Sequence, residues 1–271
     1  MADRYCVIGN PVGHSKSPAI HAAFALQTGQ DILYERCLAP LDGFAASVAA
    51  LIAAGYKGAN VTVPFKLDAA AIATTLSARA QAAGAVNTLS FAGGRIEGDN
   101  TDGAGLVNDI TRNAGFAIGG KRVLLLGAGG AARGAILPLL DQQPRELVIA
   151  NRTRASADAL VARFAAPGRL LSACEFADLD GPFELVINAT SASLAGALPP
   201  LPAAIFTPRT LALDMMYGNK PTLFMDFASA CGAVARDGLG MLVEQAAEAF
   251  ALWRGVRPET AAILESMRTT L

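Results

Sequence analysis

Short apolar blocks alternate with longer stretches whose apolar residues recur every three or four positions, and this rhythm runs to about residue 216. The blocks read as strands and the longer stretches as helices. In the first third, YCVIG (5–9) is a buried strand, and SPAIHAAFALQTG (17–29) is a helix with Ser17 as its cap, Pro18 in its first turn and Gly29 as its stop. A second strand, ILYERCL (32–38), leads to a second helix, LDGFAASVAALIAAG (41–55). GANVTV (58–63) is a third strand, and AVNTLSF (85–91) opens a further strand or a hairpin around Gly93 and Gly94. Strands separated by helices predict parallel pairing through right-handed crossovers.

The middle third restarts the pattern. TDGAGLVNDITRNAG (101–115) is a helix ending at Gly115, KRVLLLG (121–127) a fully apolar strand, and the helix after it runs to about Leu140. Three more apolar strands follow at 145–151, 183–190 and 210–216. Continuous apolar runs, in place of strict alternation, predict a parallel sheet covered on both faces. Beyond that point the chain is helical in pattern, over 222–232, 240–256 and 258–271. The expected fold class is α/β, with two domains joined near residues 100–102, a kind of junction where ligands bind.

Composition changes this picture little. The chain has 271 residues, 52% hydrophobic and 17% charged, enough for two cores. A net charge of −1 provides no basic surface for a phosphate backbone, so nucleic acid is not expected as a partner. No apolar run reaches the roughly 20 residues of a membrane span, and MADRYCVIGN carries no signal-peptide pattern, so the expectation is a cytoplasmic protein. Cys6, Cys37, Cys174 and Cys231 are widely spaced and read as small core residues.

The glycine loop brings in chemistry. VLLLGAGGAARGAIL places Gly127, Gly129 and then Ala132 at the three positions of a G-x-G-x-x-A fingerprint, after a strand and before a helix. The first glycine permits the turn and the second lets backbone approach a pyrophosphate. The small third residue packs the helix close, and the helix N-terminus meets the phosphate charge. At the end of the next strand, where an NAD site carries a carboxylate on the ribose, this chain has Asn151-Arg152-Thr153-Arg154. Neutral and cationic donors suit a 2′-phosphate, so NADP is favoured over NAD.

The first domain supplies a polar set. In GNPVGHSKSP (9–18), Ser15 and Ser17 can present two hydroxyls to one anion beside a helix N-terminus. His14 and His21 have no ligand partners nearby in sequence, so no metal is expected, and His21 reads as structural. Thr62 and Lys66 close the third strand, Asn87 the fourth, and Asp102 stands at the domain junction. Ligands collect beyond the carboxyl ends of parallel strands, so these residues can share one site. For Lys66, surface charge, a salt bridge and proton transfer all remain open from the residues alone.

GNPVGHSKSP, GANVTVPFK, AGAVNTL, GDNTDG, LLLGAGGAARG, NRT, INAT, DMMY and DGLGMLVEQAA, in this order and spacing, resemble the shikimate dehydrogenases over nearly the whole chain. The resemblance implies an NADP-dependent, reversible reduction of 3-dehydroshikimate to shikimate in aromatic amino-acid biosynthesis. It implies a substrate-binding α/β domain (1–101), a Rossmann-like NADP-binding domain (102–236) and C-terminal helices (237–271) returning to the first domain. By the same resemblance, Ser15 and Ser17 bind the substrate carboxylate, and Thr62, Lys66, Asn87, Asp102, Tyr217 and Gln245 contact its hydroxyls and ring. Gly127, Ala128, Gly129, Gly130, Ala131 and Ala132 hold the cofactor with Asn151, Arg152, Thr153 and Arg154, while Met215 and Gly238 lie by the nicotinamide. Lys66 and Asp102 form the catalytic pair, with Lys66 exchanging the proton, in a monomer or homodimer.

Four positions depart from the family pattern: Ser156 and the early Arg154 in the cofactor motif, Ser193 where a glycine is common, and Ala78 in place of an acidic residue. The rival readings are a quinate/shikimate dehydrogenase with relaxed cofactor use, a non-catalytic NADP-binding regulator, and a folate-linked dehydrogenase/cyclohydrolase. The double-serine loop opposes the last of these.

Overall fold

The computed structural model describes residues 2–269 and divides into two units. The first is the chain through Gly105 together with Val243–Met267; the second is Leu106–Leu242 with the chain end from Arg268.

The first unit is built on a mixed sheet. Its strands are β1 (Asp3–Gly9), β2 (Ile32–Leu38), β3 (Tyr56–Val61), β4 (Thr75–Leu76), β5 (Thr88–Ala92) and β6 (Arg95–Asp99), in the order β2-β1-β3-β5-β6-β4. β1 pairs in parallel with β2 and β3, as helix-separated strands predict. β5 runs antiparallel to both β3 and β6; the pairing with β6 is a hairpin, because Gly93 and Gly94, both at positive φ, turn the chain straight back. The hairpin alternative is therefore the observed one, and beyond β3 only the short edge strand β4 pairs in parallel, with β6. Cys6, Ile8, Val61, Phe65, Val86 and Leu89 belong to the core on one face. On the C-terminal helix Leu239–Arg254, Trp253 stacks on Tyr5 at 4.6 Å and donates from Nε1 to the Leu89 carbonyl at 3.1 Å. A Cβ at Gly58 would lie 2.7 Å from that same Nε1, so the indole docks only over a bare backbone.

The second unit is a six-stranded, all-parallel sheet: β7 (Arg122–Leu126), β8 (Glu146–Ala150), β9 (Leu171–Cys174), β10 (Leu185–Asn188), β11 (Leu211–Asp214) and β12 (Val234–Arg236). The order β12-β11-β10-β7-β8-β9 starts in the centre, winds outward one way and then the other. That is the doubly wound dinucleotide-binding topology, whose ligands sit at the carboxyl ends where the order reverses. The central strands are buried throughout except for Arg122 at the start of β7, in keeping with their continuous apolar runs. β9 and β12 escaped the sequence reading because each is a short edge strand with a partly exposed side.

Two helix expectations need correction. Ser17 does not cap the first helix: Lys16 occupies the N-cap without a side-chain hydrogen bond, and Ser17 is the first residue of Ser17–Thr28. The helix expected over 101–115 is α-helical only over Asp102–Asn108, then widens into a π-turn at Asp109–Asn113. Of the cysteines, Cys6 alone is buried, and the other three lie partly buried against the cores. Among the described residues, no helix is long and apolar enough to cross a membrane.

Candidate active site

The chain leaves β3 at Val61, passes the cis Val63–Pro64 bond, and enters the helix Lys66–Ile72 with Lys66 as its first residue. The Val86 N–H donates to the Lys66 carbonyl at 2.9 Å, tying that backbone to the segment before β5. Lys66 Nζ lies 2.6 Å from Asp102 Oδ2, with the lysine one-third exposed and the aspartate mostly buried. Surface charge is thus excluded as the whole account of Lys66. A salt bridge and an acid–base pair have the same geometry, and the surroundings separate them.

The other carboxylate oxygen, Asp102 Oδ1, accepts from Asn87 Nδ2 at 2.8 Å. Asn87 is almost fully buried, and its Oδ1 accepts from the Thr101 N–H at 2.8 Å and from Thr88 Oγ1 at 2.9 Å. Gln245 Oε1 is 3.3 Å from Asn87 Nδ2 and 3.4 Å from Thr101 Oγ1. Gly105 allows the C-terminal helix to come this close, since a Cβ there would lie 2.6 Å from the Gln245 backbone nitrogen. An ordinary surface ion pair needs no such scaffold of buried amides and hydroxyls. Here one oxygen of the carboxylate is held by Asn87, itself fixed by Thr88 and Thr101, which leaves the other aimed at Lys66; this is how a reactive group is pre-positioned.

The network continues toward the serine loop. Thr88 Oγ1 accepts from Asn60 Nδ2 at 3.1 Å, and Asn60 Oδ1 accepts from the Tyr34 hydroxyl at 2.7 Å. Burial pushes the Tyr34 phenol well above its usual value, against a weaker pull from the Ser17 side chain. Ser15 Oγ donates to Ser17 Oγ at 3.2 Å and accepts from the Ser17 N–H at 3.3 Å. With the cap at Lys16, no helix-capping bond occupies the Ser17 hydroxyl. Polar side chains therefore link Tyr34 to Lys66 without a break. Thr62 lies at the end of β3, its N–H on the Ile8 carbonyl at 3.0 Å.

Sequence reasoning missed Tyr34, Asn60, Thr88 and Thr101. The signal for Asn60 was present: an amide flanked by Ala59 and Val61 in the buried part of a strand must be hydrogen-bonded to something. His21, read as structural, is fully buried and stacked on Tyr34 at 4.1 Å. Neither of its ring nitrogens has a hydrogen-bond partner, and burial holds the imidazole at about 3.

In the second unit, Gly127 follows β7 with φ of 103° and would bring a Cβ within 3.2 Å of the Ala189 carbonyl, so glycine is required there. Gly129 is the N-cap of the helix Gly130–Asp141 and gives it no side-chain cap; the first turn has no acidic residue. Nothing stands within 4 Å of a Cβ built at Gly129 or Gly130. Uncapped N–H groups before open space suit a pyrophosphate. Ala132 is fully buried against the sheet, and Arg133, one residue on, has a buried Nε without a partner. At the end of β8, Asn151 Nδ2 donates to the Thr153 carbonyl at 2.9 Å. Arg154 faces Asp158 at 3.6 Å and Asp178 at 3.8 Å, whereas Arg152 is exposed and makes no ion pair among the described residues. The residues present fit a dinucleotide carrying an extra phosphate.

The carboxyl ends of β10 and β11 are organised by Asp214. This buried carboxylate accepts from Ser193 Oγ and Thr222 Oγ1, both at 2.6 Å, from Asn188 Nδ2 at 3.2 Å and from the Met216 N–H at 3.0 Å. Ser193, the departure from the family's glycine, thus anchors its loop to Asp214. A Cβ at Gly238 would meet the Met215 carbonyl at 2.2 Å, so these two residues pack backbone to backbone. Tyr217 is partly buried, and burial raises its phenol above the usual value.

Three family profiles match in chain order: the shikimate dehydrogenase substrate binding domain over residues 7–89, shikimate/quinate 5-dehydrogenase over 110–197, and the shikimate 5′-dehydrogenase C-terminal domain over 238–268. A curated relative from Herminiimonas arsenicoxydans, shikimate dehydrogenase (NADP(+)), is 64% identical over 100% of this chain and 99% of its own. Among solved structures, an Ael1 enzyme from Pseudomonas putida is 49% identical, with a TM-score of 0.93 and 98% of each chain covered. Shikimate 5-dehydrogenase from Thermus thermophilus, in complex with NADP(H) and shikimate, is 34% identical, with a TM-score of 0.88 over 99% of this chain and 100% of its own. Full-length identity at this level, on the same two-sheet fold, leads to one conclusion: the chain belongs to the shikimate dehydrogenase family.

Proposed function

We propose that the protein catalyses the NADP-dependent, reversible reduction of 3-dehydroshikimate to shikimate. The observation that carries this reading is the 2.6 Å contact of Lys66 Nζ with an Asp102 whose second oxygen is held by Asn87. Reducing a ketone requires a proton at the carbonyl oxygen as hydride reaches the carbon, and oxidising the alcohol requires that proton's removal. Lys66 is the group that gives and takes it, and Asp102 orients the amine and the substrate hydroxyl. NADP(H), when bound, supplies or accepts the hydride. Asn87 and Gln245, fixed by Thr101 and Thr88, recognise the ring hydroxyls together with Thr62, and Ser15 and Ser17 take the carboxylate. Tyr217 adds a further hydroxyl contact to the substrate.

The first unit, through residue 101 with the helices after 237, is the substrate half in this reading, and the unit between them the cofactor half. Gly127 to Ala132 cradle the pyrophosphate. Asn151, Arg152 and Thr153 receive the 2′-phosphate, with Arg152 as its main cation because Arg154 is engaged by two aspartates. Met215 and Gly238 border the nicotinamide. The enzyme acts in the cytoplasm as a monomer or homodimer.

The test is a nicotinamide-absorbance assay of the purified protein with NADP or NAD, each against shikimate or quinate. Fast turnover with NADP and shikimate alone is the expected result. Comparable rates with NAD or quinate would replace it with the relaxed quinate/shikimate enzyme. Cofactor binding without turnover would point to a regulator.

A further inference from the structure

The serine turn offers two neutral hydroxyls, and neutral donors alone repay only part of the hydration a carboxylate gives up on binding. The turn has a cation behind it. Arg36 stands on β2, opposite Val7 of β1. Its guanidinium donates from Nε at 3.2 Å and from Nη2 at 2.6 Å to the carbonyl oxygen of Ser15. That acceptor is a neutral peptide, so the charge of Arg36 is not cancelled by it. Its sequence neighbour Glu35 lies on the opposite face of the strand and is committed to Arg4 at 2.9 Å and to the Tyr56 hydroxyl at 2.6 Å. The segment GNPVGHSKSP contains no Asp or Glu, and the helix that follows has no acidic residue in its first turn. Among the described residues, Arg36 makes no ion pair.

We propose that Arg36 is the countercharge that fits this turn to an anionic substrate, and that it positions the Ser15–Lys16 peptide while doing so. The proposal rests on the reading above that Ser15 and Ser17 take the carboxylate. Two effects act together. The guanidinium attracts an anion at the serine hydroxyls from one peptide away. It also polarises the Ser15 carbonyl, and the N–H of Lys16 on the far side of the same peptide becomes a stronger donor toward an anion. Arg36 does not touch the reacting atoms, so its effect falls on substrate affinity and leaves the chemical step alone.

The test compares wild type, Arg36→Gln and Arg36→Lys with shikimate and with its uncharged methyl ester, at several ionic strengths. Arg36→Gln is expected to raise the KM for shikimate roughly three- to tenfold, the size of one partly screened charge interaction. The KM for NADP should hold and kcat should stay within about twofold. For wild type, the shikimate KM should climb with salt; for Arg36→Gln that slope should flatten, and Arg36→Lys should restore it. The ester needs no variant to be informative: wild type should bind it as weakly as Arg36→Gln binds the acid, with no salt dependence. An unchanged shikimate KM in an active Arg36→Gln enzyme overturns the proposal, as does an equal loss for acid and ester, which would mark Arg36 as purely structural. A wild-type protein that does not oxidise shikimate at all would instead overturn the functional reading, a separate and recognisable result.

Discussion

The two units prepare their sites by different means. In the first, the candidate site is made of side chains: a lysine, an aspartate, two amides and several hydroxyls hold one another within hydrogen-bonding distance from Tyr34 to Lys66. In the second, it is made of backbone: a glycine turn at positive φ, an uncapped helix end, and Gly238 pressed against the Met215 carbonyl. The contrast follows from the ligands. A pyrophosphate is a diffuse anion that any well-aimed set of N–H groups will accept. A small polyhydroxylated ring must be told from its isomers and must exchange one proton at one oxygen, which only specific side chains can do.

Replacing Lys66 by Ala tests that contrast most severely. Turnover should fall about a hundredfold to ten-thousandfold with the shikimate KM changed little, because a general acid–base group is lost while the ring contacts stay. A large rise in KM with kcat intact would make Lys66 a binding residue instead. Next in size is Arg152→Ala, which should raise the KM for NADP roughly ten- to a hundredfold, the worth of a charge-assisted phosphate contact. Its KM for NAD and for shikimate should not move. If NADP is unaffected, the 2′-phosphate is held elsewhere.

Acid should also separate the units, because both histidines belong to the first. His21 is held at about 3 by burial, below its usual 6.5. An unfolded chain takes up that proton from about pH 6.5 downward, and the folded chain refuses it until about 3. Stability contributed by keeping His21 neutral is therefore present above 6.5 and lost as the pH falls through that window. The loss amounts to a few kcal/mol at most, at about 1.4 kcal/mol per pH unit. Thermal unfolding followed by Trp253 fluorescence from pH 7 to 4 should show it, and His21→Phe, which keeps the stack on Tyr34, should flatten the profile. An equally steep profile in His21→Phe would put the acid sensitivity elsewhere. The smallest change is Tyr34→Phe. It removes the donor to Asn60 at a cost of about 1 kcal/mol, or roughly fivefold in kcat/KM for shikimate. No change would mean that Asn60 is held well enough by Thr88 and the Asn87 carbonyl.

What could be read from the residues divides along the same line as the two sites. The α/β class, the strand-glycine-helix unit and most core strands were legible, because continuous apolar runs and glycine spacing are local signals. Ser15, Ser17, Lys66, Asn87 and Asp102 could be picked out as polar groups at or just beyond strand ends, but their roles came only through resemblance to a family, as did Gln245 itself, whose neighbour Asn87 lies 158 positions away. Tyr34, Asn60 and Thr101 escaped notice because each works through a neighbouring side chain, and a strand tyrosine or a loop threonine carries no mark of that. The Ser17 cap was misread for a local reason: Ser before Pro is a good start signal, but here the chain begins its helix one residue early and frees the hydroxyl. The π-turn at Asp109–Asn113 left no mark in the apolar spacing of 101–115 at all.

The return of Val243–Met267 to the first unit has a consequence for how the protein is made. On a ribosome, the glycine turn and all six parallel strands are synthesised before Gln245 and Trp253. Until those two arrive, Asn87 lacks one of its neighbours and Tyr5 its stacking partner. A chain halted at residue 242 would thus contain the whole glycine turn and parallel sheet while its first unit still lacked Gln245 and Trp253.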